Sequence, residues 1–215
     1  MTLLNFSTYS QCIPFIIGLF IYFRRGLDEV QLYLLYAVTS LSALEILGQF
    51  TKRFFQNNGV AYNLASIFTL LFFCLLFKKS KFVKSTIINI VLIFFILFVI
   101  IKFSFFSSIL IFDTTIVIVY SFILIILCAY VLMQMTNGEI EDLFHHPLFW
   151  ISASTLFFNA VVVTIYSLFP VALIGSDYFS ANLWNIHAVL NITANLLYSY
   201  AFLCRIQKNF STQLS

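Results

Sequence analysis

Glu45 is the only acidic side chain well inside any of the long apolar runs of this chain. A carboxylate among apolar side chains costs several kcal/mol unless it is protonated, paired or wetted by a cavity. It therefore needs either a donor from the protein or a ligand. His187, in the last apolar run, is the partner its chemistry suggests, because an imidazole changes charge near neutral pH. Trp184, His187, Asn191, Asn195 and Tyr198 fall within an arc of about 80° when each residue turns the helix by about 100°. Ser152, Thr155, Asn159 and Tyr166 share an arc of about 60°, and Ser42, Glu45 and Gln49 lie on a similar one. Tyr62, Ser66 and Thr69 form a fourth such set, with Asn63 beside them. Amides, hydroxyls, one carboxylate and one imidazole suit two tasks: hydrogen bonds that join helices, or recognition of a small ligand in a pocket facing away from lipid. A proton-coupled role is a third reading, although one carboxylate and one imidazole are few for a relay.

These stripes need helices to carry them. The 215 residues are 62% hydrophobic and 9% charged, with a mean hydropathy of +1.03, against about a quarter charged in soluble domains. Only helices or closed barrels satisfy their backbone in lipid, and a helix needs about 20 residues to cross it. Runs such as Ile88 to Ile101 are continuously apolar without strand-like alternation. The expected fold is therefore an all-α polytopic bundle of seven transmembrane helices in a single transmembrane domain, residues 1–215. The spans lie near 3–23, 31–50, 61–77, 85–103, 114–134, 148–169 and 182–203. The fourth carries almost nothing polar between Ile90 and Ile101 and should face lipid broadly, leaving spans two, three, six and seven to line the interior.

Positive residues are retained on the cytoplasmic side. Arg24, Arg25, Lys78, Lys79, Lys81, Lys84, Arg205 and Lys208 fall on one side, against Lys52, Arg53 and Lys102 on the other. The N-terminus is thus expected outside and the C-terminus in the cytoplasm. Glu45 and His187 then lie at similar depths, each about 7 Å below the outer boundary by helix rise. The candidate ligand-binding set in that leaflet is Glu45, Gln49, Tyr62, Asn63, Asn159, Trp184, His187, Asn191 and Asn195.

Several functions are disfavoured. The net charge of +3 reflects sidedness, so nucleic acid is not an expected partner. Cys12, Cys74, Cys128 and Cys204 stand singly in apolar surroundings, without metal or disulfide spacing. His145 and His146 are adjacent and point in different directions, a poor metal pair. No Gly-x-Ser-x-Gly nucleophile occurs, and the seventh span lacks the mid-membrane lysine of a retinal protein, so the likeness to rhodopsins is one of span number only. No catalytic residue, metal or cofactor is expected. The basic segment Lys78 to Lys84 suits anionic lipid, and Glu139, Glu141 and Asp142 give the same side an acidic loop.

Glu45 together with Ala61-Tyr62-Asn63-Leu64, Phe149-Trp150-Ile151, Leu183-Trp184-Asn185-Ile186-His187, Leu190-Asn191-Ile192 and Asn195-Leu196-Leu197 resembles a group of small seven-span bacterial membrane proteins with no assigned chemistry. Members tend to be encoded near sensor histidine kinases. The resemblance implies a multi-pass protein of a bacterial inner membrane with a sensory or accessory role. The expectation is a receptor-like module that binds an unknown small ligand and signals through a separate cytoplasmic protein. A small-solute or proton-linked transporter and a structural subunit of a membrane complex are the alternatives.

Overall fold

The computed structural model of the chain describes residues 3–138, 142–174 and 177–204. Glu139, Glu141, Arg205 and Lys208, which figure in the charge pattern, lie outside the described residues. The helices are α1 (Leu3–Ser10), α2 (Cys12–Arg25), α3 (Glu29–Phe55), α4 (Gly59–Ser80), α5 (Ser85–Phe105), α6 (Thr114–Asn137), α7 (Pro147–Ile174) and α8 (Asp177–Leu203), with a 3₁₀ turn at Leu143–His145. No strand occurs among the described residues. Seven segments are long and apolar enough to cross a membrane, α1 and α2 together making the first, Phe6–Arg25. The chain is thus an all-α, multi-pass membrane protein by architecture. Three boundaries shift by five residues: α7 runs on to Ile174, α8 begins at Asp177, and α3 continues past residue 50 to Phe55 because Lys52 and Arg53 are good helix formers in water.

The first span departs from the single helix expected over 3–23, because it is interrupted at Gln11. Pro14 is the cause: its ring clashes with the carbonyl four residues back, at Ser10, and it has no N–H to bond it. Ser10 Oγ instead donates to the Ser7 carbonyl at 2.6 Å, and the Gln11 carbonyl accepts from Ser42 Oγ at 3.5 Å.

Helix ends are closed by side chains. Asp28 Oδ1 accepts the Gln31 N–H at 2.8 Å and Gln31 Oε1 accepts the Asp28 N–H at 3.5 Å, a capping box that starts α3. Gly26, at φ 75°, makes the turn before it. The last carbonyls of α8 have no intrahelical donor. Gln31 Nε2 donates to those of Ala201 and Cys204 at 2.9 and 3.0 Å, and the Arg25 guanidinium to that of Phe202 at 2.7 Å.

Helices α3 with α4, α6 with α7 and α7 with α8 make the broad interfaces, while α1 and α2 lie along α8. Helix α5 packs on α4 and α6 and leaves Ile90, Phe94, Leu97 and Ile100 exposed, as suits a lipid-facing helix. The loops gather Arg24, Arg25, Lys78 and Lys79 at one end of the bundle, here the basic end, where Lys79 Nζ lies 3.7 Å from Glu29 Oε2. Near that end Leu34, Phe77, Met135, Leu148 and Phe202, one from each of five helices, belong to one core and are at most 1% exposed. Large apolar side chains thus fill the interior near this end.

Candidate functional site

The other half is hollow. A cavity of about 210 Å³ occupies the space where α3 barely touches α7 and α8. Helix α3 contributes Ser42 and Glu45, α4 contributes Tyr62, Ser66 and Thr69, and α7 contributes Asn159 and Tyr166. Helix α8 adds His187, Asn191, Asn195 and Tyr198. Of the residues singled out from the sequence, the fold brings Glu45, Tyr62, Asn159, His187, Asn191 and Asn195 to one space. Gln49, Asn63 and Trp184 are not in its lining.

Each of those three has another place. Gln49 is exposed, and its Nε2 donates to Glu45 Oε1 at a long 3.4 Å. Asn63 is fully buried with all its polar atoms engaged: Nδ2 donates to the carbonyls of Ile109 and Ile111 at 2.9 and 2.8 Å, and Oδ1 accepts the Asp113 N–H at 3.0 Å. Trp184 belongs to a chain of rings whose centroids lie 5.6 to 6.2 Å apart, running Tyr62, Phe112, Tyr166, Trp184, His187, Phe158. These tilted and edge-to-face contacts form an aromatic collar along one side of the cavity.

Phe112 enters this collar because its loop is pinned. Asn63 holds the backbone at residues 109, 111 and 113, and Asp113 Oδ1 accepts the Thr115 N–H at 2.9 Å to start α6. Asp113 Oδ2 accepts from Ser107 Oγ at 2.7 Å and lies 3.4 Å from Lys102 Nζ. Burial pushes the Asp113 carboxyl up, but the Ser107 hydroxyl, the Lys102 ammonium and the bonds from Thr115 together hold it below its ordinary value of 3.8. Gly59 permits the loop to approach α4: a Cβ there would lie 2.2 Å from the Leu110 carbonyl oxygen.

Glu45 and His187 line the same cavity but form no ion pair. Glu45 Oε1 accepts long bonds, 3.4 Å each, from Tyr62 Oη and Gln49 Nε2, and the carboxylate has no cation within ion-pair distance among the described residues. The other polar groups are arranged unevenly. Asn191 Nδ2 donates to Ser7 Oγ at 3.0 Å and Asn195 Nδ2 to Ser10 Oγ at 2.9 Å, so both amides fasten α8 to α1. The hydroxyls of Ser66, Thr69 and Thr155 donate to carbonyls within their own helices. Asn159 Nδ2 donates to the Thr155 carbonyl at 2.7 Å, which fixes the orientation of the amide, while Oδ1 is buried with no partner.

Sequence reasoning missed Gln11, Phe112, Tyr120 and Phe158, all of which line the cavity. Gln11 had a signal in Pro14, since the helix break turns that residue inward. Tyr120 stands in an α6 without a polar stripe, and Phe112 in a loop, so neither could be told from the many other aromatic residues. The interior is thus lined also from the fifth span and the broken first one. Compared with protein-family models, curated proteins and solved structures, the chain has no significant match.

Proposed function

We propose that this integral membrane protein is a receptor-like sensory or accessory module. Its cavity takes a small ligand from the outer leaflet side, and its basic end passes the signal to a separate cytoplasmic protein. The observation that carries this reading is the cavity with its polar lining in one half of the bundle, set against the cluster of fully buried apolar side chains near the basic end. A route for solute needs polarity on both sides of the membrane, at least in alternation. Here the stripe on α8 runs from His187 through Asn191 and Asn195 to Tyr198, and beyond it Phe202 is fully buried in one core with Leu34 and Phe77. With positive charge retained inside, the hollow half faces outward. Occupation of the gap between α3 and α7 or α8 changes the contacts of helices whose far ends are joined through Gln31, Arg25 and the carbonyls of α8. Differential binding to two such helix arrangements is what a sensor requires.

Proteoliposomes and native membranes test this together. A ligand found by thermal stabilisation of the wild type should lose its effect with Ala65→Phe, which fills the cavity, and should not accumulate inside vesicles. Accumulation would assign a transporter instead. Cross-linking from Lys78 or Lys79 should recover a cytoplasmic signalling protein, and its absence under conditions that preserve weak complexes would remove the sensory reading.

A further inference from the structure

The donor and acceptor inventory of the cavity carries the reading one step further, to ligand class. Several donors on the lining are committed to the protein: the amide nitrogens of Asn159, Asn191 and Asn195 and the hydroxyls of Ser66 and Thr69 all have partners. Acceptors of the lining residues are less well satisfied, the buried Gln11 Oε1 without a partner among them. Glu45 offers a carboxylate held only by two bonds of 3.4 Å, well beyond the usual length for such contacts. Asn159, 3% exposed, presents an Oδ1 with no partner, and its amide cannot be turned over without setting an oxygen against the Thr155 carbonyl. An unmet buried acceptor is unfavourable, and a donating ligand would relieve it. No Lys or Arg lines the cavity, which leaves His187 as the lining group able to meet an anion. The apolar part of the lining is largely aromatic, with Tyr62, Phe112, Tyr166, Phe158 and Tyr198 beside aliphatic side chains. Aromatic faces attract cations, most strongly in desolvated sites.

From this arrangement we infer that the cavity binds a small organic ammonium compound. Its N–H groups bond the Glu45 carboxylate and Asn159 Oδ1, and its apolar body lies against the aromatic collar. The size fits a single-ring amine, since an engineered apolar cavity of about 150 Å³ accepts benzene. This assignment rests on the pocket proposed above and names what occupies it. His187, with one N–H and one bare nitrogen when neutral, sits among the collar rings, where it would meet a polar substituent on the ring of such a ligand.

The test uses the full chain in nanodiscs with three isosteric probes, phenethylammonium, 2-phenylethanol and phenylacetate, and with sodium chloride, read by calorimetry and thermal shift. Phenethylammonium should bind about tenfold to a hundredfold more tightly than the alcohol, the range expected for a charge-assisted hydrogen bond, and phenylacetate should not bind. Glu45→Gln, which keeps shape, should remove that preference, and Tyr62→Phe should weaken it. Equal or tighter binding of the alcohol or the acid, sensitive to Ala65→Phe, would overturn the ammonium assignment and leave the pocket standing. An ammonium effect that survives Glu45→Gln, or an equal effect of sodium, would overturn it as well. Absence of any binding sensitive to Ala65→Phe would overturn the pocket together with its ligand.

Discussion

Asn63 Oδ1 accepts the backbone N–H of Asp113 at 3.0 Å across fifty positions of sequence, and the same amide donates to two carbonyls of the intervening loop. One buried side chain thus holds the loop that delivers Phe112 to the cavity and positions the cap of α6. Asn63→Ala should cost about 2 to 4 kcal/mol, since one buried and two part-buried backbone groups lose their partner. Thermal denaturation in detergent measures the loss, and hydrogen exchange should rise first in residues 109–113. An unchanged exchange rate there would show that the loop is held by other means.

Gly59→Ala should cost about 3 kcal/mol, because its Cβ would meet backbone at Leu110 and Phe112, which cannot move without breaking the Asn63 bonds. Gly18→Ala meets the side chains of Leu35 and Phe202 at 2.9 Å, which have more freedom, and should cost about 1 to 2 kcal/mol. The order of the two melting temperatures checks this.

Gln31→Leu should destabilise the basic end by about 1 to 3 kcal/mol, leaving the Ala201 carbonyl without its donor and that of Cys204 with Arg25 alone. Arg25→Ala should couple to it, since both side chains serve the last turn of α8. Additive losses in a double-mutant cycle would mean that the two caps act independently.

Glu45→Gln should leave stability within about 1 kcal/mol of wild type or raise it, because the carboxylate has only two long hydrogen bonds to lose. Breaking a buried ion pair would instead cost about 3 to 5 kcal/mol. A loss of that size in the melting curve would make Glu45 a structural residue.

Two groups at the helix ends contribute pH dependence of one sign. Burial lowers the His146 pKa below 6.5, with Asp28 opposing. The fold therefore favours the neutral ring, so this contribution is full above pH 6.5 and is lost as pH falls towards the folded value. His146→Asn, which can still accept the Leu148 N–H, should flatten the stability curve below pH 6.5. Asp113, held below 3.8, stabilises above that pH and stops doing so as pH falls through its folded value. Asp113→Asn should be less stable than wild type at pH 7 and converge with it in acid, and a constant difference across pH would contradict the assignment.

The seven spans, the lipid-facing α5 and the inward direction of Glu45, Asn159, His187, Asn191 and Asn195 were legible in the sequence. Lipid makes a polar group costly, so periodicity alone shows which face of a helix must be covered. The same periodicity cannot say what a covered group bonds to. Asn63 and Asn191 look equivalent along the chain, yet one fastens a loop and the other fastens α1, while Asn159 retains an unpartnered oxygen. Nor could it show that Pro14 would turn Gln11 into the cavity, or that Tyr120 would reach it from an α6 without a stripe. Facing inward is decided by the solvent, which each helix meets by itself. Which donors are consumed, and which acceptors remain for a ligand, is decided by distances between helices, and those exist only once the bundle is assembled.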